Sequence, residues 1–516
     1  MIKNFKWLFL VSLTFIACSD DEVTTKPNSS DGLPLTAGSA DFSKYVALGN
    51  SLTAGFSDNA LFIEGQKGAY TNILAQQFAQ VGGGEFKIPY MNDNIGGLLL
   101  GGFQIQGPRL YFNGAAPVPV AGTPSTEVTT KLTGSFNNLG VPGAKSYHLL
   151  AAGYGNPAGV PLGQANPYYA RFSSSATSKI IDDATAQNPT FFSLWIGNND
   201  VLSYATSGGT GVNQTGNPNP ATYGANDITD PAAFAGVYNT LVTNLTANGA
   251  KGVVANIPYV TSVPFFTTVP TNPIPGLPAA SAGQLNALFG GINSALTGAS
   301  LPTRFVTLVA DDGNPATVEA NPLLIRDESL INISSQITTA LTPVVGPTTA
   351  AYLGSIYGQA RHASGAAASR DYVLLTARTI IGTTQAGAPS PFNTVGVSYP
   401  MQDNTILTAA ETAEVKTATD AYNATISSVA TSKGLAFVDA NAALVQVAST
   451  GISNGGFTVT SAFVTGGGFS LDGVHPSPRG YALIANKFLQ AINAKYGSNF
   501  KDVDFGNYRI LFPSVL

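Results

Sequence analysis

Cysteine, histidine and charge are all scarce in this chain. A single cysteine, Cys18, excludes an internal disulfide and any metal site built from several cysteines. Only three histidines occur in 516 residues: His148, His362 and His475. Charged residues make up 10% of the chain, well below the roughly 25% usual in soluble domains. Gly, Ala, Thr, Ser and Asn fill the surface instead. The formal net charge of −5 comes with no Lys/Arg cluster, which argues against a nucleic-acid partner. Beyond the N-terminus, no stretch is long and apolar enough to span a bilayer. Apolar residues are plentiful, at 44%, which is ample for a core. The length admits more than one domain.

The chain begins with Lys3 and Lys6, followed by an apolar run from Trp7 to Ala17. A basic start and so short a run predict a secretory signal over residues 1–17, not a membrane span. Phe15-Ile16-Ala17-Cys18 resembles a bacterial lipobox, in which the cysteine is lipidated and becomes the mature N-terminus. The alternative is a signal peptide with an incidental cysteine. Residues 18–40, rich in Ser, Thr, Pro and Gly, read as a flexible tether. Ser19-Asp20-Asp21-Glu22 resembles the surface-export signal of Bacteroidetes lipoproteins, or is a solvated linker with incidental charge. These features place the mature chain in the cell envelope, lipid-anchored at the outer membrane through Cys18. Surface exposure is left open.

Short apolar runs at Tyr45–Leu48, Phe191–Ile196, Gly252–Ile257 and Leu435–Val438 read as buried parallel strands, with a weaker one before Asn138. Helical patterns lie between them, at Ala69–Phe78 and Ala409–Ser432. The last helix starts at Ser477-Pro478, a cap followed by proline at the first helical position. Strands alternating with helices predict an α/β sandwich with a mainly parallel sheet, here over residues 41–516. Three regions exceed it as insertions: about 81–130, 203–230 and 262–405. The last is too long for an ordinary connection and reads as a cap or lid. It carries a short helical pattern near Ala280–Leu296 and a possible strand in Tyr372–Ile381.

Four segments carry polar residues where chemistry is possible. Gly49-Asn50-Ser51-Leu52 follows the first strand; alone, such a serine is most often a cap or turn residue. Asn137-Asn138-Leu139-Gly140-Val141-Pro142-Gly143-Ala144 is a Gly-rich turn. Trp195-Ile196-Gly197-Asn198-Asn199-Asp200 ends the most apolar strand, where Asn and Asp also suit a helix cap. Asp472-Gly473-Val474-His475-Pro476 places a carboxylate three residues before a histidine, close enough to bond its Nδ1. All four are expected at strand-to-helix junctions, where open α/β sheets bind ligands.

In that order the four segments resemble blocks I, II, III and V of the SGNH (GDSL-like) hydrolase family. The resemblance implies a three-layer α/β/α sandwich with a flavodoxin-like sheet. It implies Ser51 as nucleophile, His475 as base and Asp472 as the group that orients it. An oxyanion hole follows from Ser51 N–H, Gly143 N–H and the Asn199 side chain, with Gly140 the alternative to Gly143. Asp200 would tie down its loop. Position 50 departs from the family motif, with Asn where Asp is usual, which puts the local turn geometry in question. No metal and no organic cofactor are implied.

The expected reaction is hydrolysis of a carboxylic ester, lipid or acylated glycan, through an acyl-enzyme. The alternatives are a carbohydrate O-deacetylase of the same fold and a non-catalytic binding module. Gly451-Ile452-Ser453-Asn454-Gly455 matches another nucleophile motif, but that elbow needs a strand before it and a helix after it. His148, on an expected helix Ala144–Ala152, and His362, with no carboxylate spaced to orient it, read as packed or solvated. Tyr168, Tyr169, Phe265 and Phe266 are candidates to line an acyl pocket or to pack the core.

Overall fold

Five short strands, each buried along its length or nearly so, build the centre of the molecule: β1 (Tyr45–Gly49), β2 (Asn138–Gly140), β3 (Phe191–Trp195), β4 (Lys251–Ala255) and β5 (Ala436–Val438). The computed structural model describes residues 28–516, so the expected signal segment, Cys18 and the start of the tether lie outside it. All four strand pairings are parallel, and the order across the sheet is β2-β1-β3-β4-β5. The fold is therefore α/β with an all-parallel central sheet.

Alternation along the strands explains the layers. Val46, Leu48, Phe192, Leu194 and Val254 point to one face; Tyr45, Ala47, Phe191, Trp195 and Val253 point to the other. The core helices in chain order are α1 (Ser51–Ala54), α2 (Tyr70–Ala79), α3 (Asn199–Thr206), α4 (Pro231–Thr246), α5 (Ala409–Ser432), α6 (Ala440–Ser449) and α7 (Pro478–Tyr496). The first face is covered by α3, α4 and α5 through Val201, Phe234, Tyr238, Tyr422 and Ile426. The second is covered by α2, α6 and α7 through Ile73, Phe78, Val447, Phe488 and Ile492. Burying both faces is what all-parallel strands require.

The caps follow from sequence. Thr408 and Glu411 form a reciprocal capping box at the start of α5. The Ser477 hydroxyl accepts the Gly480 N–H at 3.0 Å, with Pro478 at the first helical position of α7.

Several boundaries differ from the sequence expectation. β2 starts at Asn138 and does not precede it, because Ala47 of β1 pairs with that residue. The 81–130 excursion holds two antiparallel hairpins, Leu98–Gln106 and Leu110–Pro119. Residues 203–206 belong to α3, and only the remainder of 203–230 is loop. Only Tyr372–Val373 of the expected Tyr372–Ile381 strand pairs, with Ile406–Leu407; Leu375–Thr379 is a 3₁₀ turn. His148 sits on a 3₁₀ turn, Ser146–Leu150, in place of a longer α-helix.

The 262–405 insertion has its own core. Helices Ala279–Gly298, Ser334–Val345 and Pro347–Tyr357 bury Leu285, Phe289, Leu341, Leu353 and Tyr357 together. Arg361 bridges Asp327 at 2.6 Å and forks onto Asp371 at 2.6 and 2.7 Å. Asp371 also accepts Ala409 N–H at 3.0 Å, so the insertion is pinned to the first turn of α5.

The expected tether is not free from Asn28 onward. Ser30 N–H donates to Asn499 O, Thr36 N–H to Asn499 Oδ1, and Ser39 N–H to Tyr496 O. These bonds act together with Leu35, Ala37 and Ala40, which pack on the core of the second face. Among the described residues, no helix is long and apolar enough to cross a membrane.

Candidate active site

In a sheet ordered 2-1-3-4-5, the connections leave β1 and β3 in opposite directions, and a crevice opens between their carboxyl ends. Ser51 follows β1 and Asn199 follows β3, one on each side of that crevice. Asn50 caps the four-residue α1 by accepting Leu52 N–H at 3.0 Å, which leaves Ser51 as the first helical residue. Its Nδ2 donates to Asn198 Oδ1 at 3.1 Å and ties the two loops together. An aspartate at position 50 would keep that link only by turning the Asn198 amide to donate its Nδ2.

The Asp472–His475 loop lies outside the central sheet. It does not follow one of the five strands; it precedes α7, and Ser470 N–H bonds His475 O at 2.8 Å to close it. Gly473 has φ +73°, a left-handed backbone that turns the chain back. Val474 and His475 N–H both then reach Asp472 Oδ1 at 2.8 Å. Asp472 Oδ2 meets His475 Nδ1 at 2.9 Å, and His475 Nε2 meets Ser51 Oγ at 2.8 Å. Three side chains that are 421 or more positions apart at their ends thus form one continuous hydrogen-bonded line. Burial works to raise the Asp472 carboxyl. The His475 charge and the donated N–H bonds outweigh it and hold the carboxyl at about 2.

A turn that sequence reasoning passed over clasps this loop. Asp58 and Asn59 have φ of +52° and +64°, between reciprocal Ser57 and Ala60 backbone bonds of 3.0 Å. Asn59 N–H donates to Asp472 Oδ2 at 2.9 Å. Asp58 N–H donates to Ser470 Oγ at 3.0 Å, and Asp58 Oδ1 accepts Leu471 N–H at 2.9 Å. Burial pushes the Asp58 carboxyl up to about 7, and the nearby Asp472 charge adds to the push. Asp and Asn tolerate the left-handed region better than other non-glycine residues, and that was the available signal. The Phe56 ring lies 4.6 Å from the His475 ring and walls one side of it.

Gly143 has φ +81°, and its N–H makes no hydrogen bond among the described residues; neither does Ser51 N–H. Gly140, the alternative, spends its N–H on Asn138 Oδ1 at 2.9 Å. Asn199 Nδ2 donates one hydrogen to Ala144 O at 2.9 Å, which fixes the amide and leaves the second hydrogen free. Fully buried Asp200 accepts Ser146 N–H at 2.8 Å and Ser146 Oγ at 2.6 Å, joining the loop after β3 to the Gly143 loop. Burial raises its carboxyl.

The remaining candidates fall elsewhere. Ser453 lies in a hairpin, Ile452–Asn454 with Phe457–Val459, and shares a bond with Thr458 Oγ1 at 2.8 Å. No helix follows it as an elbow requires. His148 accepts Lys145 N–H and stacks on Tyr154, and burial pushes its imidazole down to about 3. His362 accepts Val306 N–H between the Phe289 and Phe305 rings, and burial takes it to about 4. Among the described residues two carboxylate groupings occur, Asp311/Asp312/Glu319 and Glu328/Asp403/Glu411, and neither includes Ser51, Asp472 or His475. Burial pushes Glu411 up to about 8, so protonation relieves the repulsion there.

An apolar trough with a cavity of about 130 Å³ opens beside Ser51 and His475. Its walls are apolar, with aliphatic side chains from α6, α7 and the loops after β4 and the aromatic Trp195, Phe469 and Phe488. Tyr168, Tyr169, Phe265 and Phe266 are not among the wall residues and pack in core clusters instead. Comparison with protein-family models, with curated proteins and with solved structures found no match to this chain.

Proposed function

We propose that this chain is a serine esterase or lipase of the SGNH (GDSL-like) type, hydrolysing carboxylic esters through an acyl-enzyme. The observation that carries the reading is the line Ser51 Oγ, His475 Nε2, His475 Nδ1, Asp472 Oδ2, with contacts of 2.8 and 2.9 Å. A structural histidine has no need of a serine on one nitrogen and a four-donor carboxylate on the other. The 2-1-3-4-5 strand order supports the family resemblance.

The chemistry follows from the groups present. His475 Nε2 takes the Ser51 proton as Oγ attacks the ester carbonyl, and Asp472 stabilises the imidazolium that forms. Negative charge develops on the former carbonyl oxygen, facing the uncommitted Ser51 N–H, Gly143 N–H and Asn199 Nδ2 hydrogens. His475 then protonates the leaving alcohol. Water, activated by the same imidazole, releases the acid and restores Ser51. No step calls for a metal or an organic cofactor.

An acetylated sugar asks for a shallow polar site, whereas the surface beside Ser51 is an apolar trough. Anchorage in the envelope through Cys18 belongs to the same proposal. A fluorophosphonate probe is expected to label Ser51 in the native protein and to leave Ser51→Ala unlabelled. Equal labelling of both proteins would overturn the assignment.

A further inference from the structure

We infer that the trough is an acyl-chain site, and that the substrate is an ester whose acid is a straight medium- or long-chain hydrocarbon. This rests on the serine-hydrolase reading above and adds the class of acid that the site selects.

The trough is continuous with the nucleophile: Ser51, Asn199 and His475 form its polar end. Beyond them the wall turns apolar. Val438 and Trp195 from the sheet edge, Leu444 and Val447 from α6, and Leu483 and Ile484 from α7 face the same space. Away from the catalytic end, Lys487 is the one charged side chain in the wall among the described residues. A polar acid portion would lose its water there with nothing to replace it. A hydrocarbon gains from every methylene it buries. The sequence places small residues where the trough needs room: Ala440 and Ala443 on α6 leave that side of it unfilled. A core built only for stability would fill such a gap with larger side chains.

We assign the acyl side of the ester to the trough because Ser51 Oγ lies in its wall. A chain attached through that oxygen stays anchored in both half-reactions. The alcohol, by contrast, must leave past His475 so that water can take its place.

The test is a series of p-nitrophenyl esters from acetate through butyrate and octanoate to laurate, with wild-type protein. The value of kcat/KM is expected to rise about fourfold per added methylene until the trough is filled. A second series varies the alcohol of acetate esters from methyl to decyl and is expected to be nearly flat. Ala443→Trp, which fills the trough from α6, is expected to collapse the laurate-to-acetate ratio. Because the wild-type series stands alone, the test survives if that variant fails to fold.

The outcomes separate cleanly. Ser51 labelling with acetate hydrolysis but no acyl-length dependence overturns the acyl site and leaves the hydrolase reading intact. Dependence on the alcohol chain alone overturns the acyl assignment in favour of the opposite orientation. No labelling and no hydrolysis of any ester overturns both readings.

Discussion

Replacing Asp472 by asparagine changes one atom and tests the whole catalytic line. The two carboxylate oxygens accept Val474 and His475 N–H on Oδ1, and Asn59 N–H and His475 Nδ1 on Oδ2. An amide keeps only one acceptor oxygen. If its NH₂ takes the Oδ1 place, two backbone N–H groups lose their acceptor, at about 1–3 kcal/mol each. If it takes the Oδ2 place, only Asn59 N–H is stranded, and His475 Nδ1 adapts by becoming the acceptor. The second arrangement is the cheaper by about 1–3 kcal/mol, one stranded group fewer. It leaves the imidazole proton on Nε2, pointing at Ser51 Oγ, where no proton can be accepted. We therefore expect kcat for p-nitrophenyl butyrate to fall by about 10⁴, with a stability loss near 1–3 kcal/mol from the one stranded N–H. Steady-state kinetics and a denaturant melt on the same preparation separate the two effects. A folded Asp472→Asn protein with kcat within about tenfold of wild type would refute the tautomer argument.

Asn199→Ala removes a free donor and should lower kcat by about 10²–10³ with little change in KM; a loss confined to KM would assign Asn199 to substrate binding. Two carboxyls give opposite pH signatures. The lowered Asp472 contributes stability above its ordinary 3.8 that is lost as pH falls toward 2. The raised Asp58 contributes stability below 3.8 that is lost as pH rises through about 7. Asp58→Asn should therefore gain melting temperature relative to wild type between pH 5 and pH 8, and a difference that stays flat across that range counts against the buried-carboxyl account. Arg361→Met strands Asp327 and Asp371, both buried, and should cost about 3–5 kcal/mol in chemical denaturation; a cost below about 1 kcal/mol would mean that the clamp does not hold the insertion.

The central strands were legible because apolar runs of four to six residues bounded by Gly, Asn or Pro are what a doubly covered parallel sheet demands. The helix starts at Thr408 and Ser477 were legible from their caps. The insertion was legible in part: the Ala280–Leu296 pattern falls within the helix Ala279–Gly298, but Ser334–Val345 and Pro347–Tyr357 are rich in Ser and Thr, and Pro343 sits inside the first of them. Their packing against Ala279–Gly298 decides the structure more than local preference does. At the site, chemistry-bearing side chains could be read from the four segments. The Asp58–Asn59 turn could not, because its contribution is a backbone N–H that no residue type announces. Of the two roles open to Tyr168, Tyr169, Phe265 and Phe266, the structure gives them packing, and the trough lies instead beside the small residues Ala440 and Ala443 of α6.

Helix α7 also sets the distance between the site and the N-terminal segment. Its first turn follows the His475 loop, and its last turn carries Tyr496, close to the Asn499 that binds residues 30–36. Nineteen helical residues span roughly 28 Å, so the catalytic mouth and the entry of the N-terminal segment stand at opposite ends of a rigid rod. The ten positions from Cys18 to Asn28 reach at most about 35 Å when extended. If Cys18 carries the proposed lipid, that reach exceeds the length of the rod and lets the mouth swing down to the leaflet that holds it.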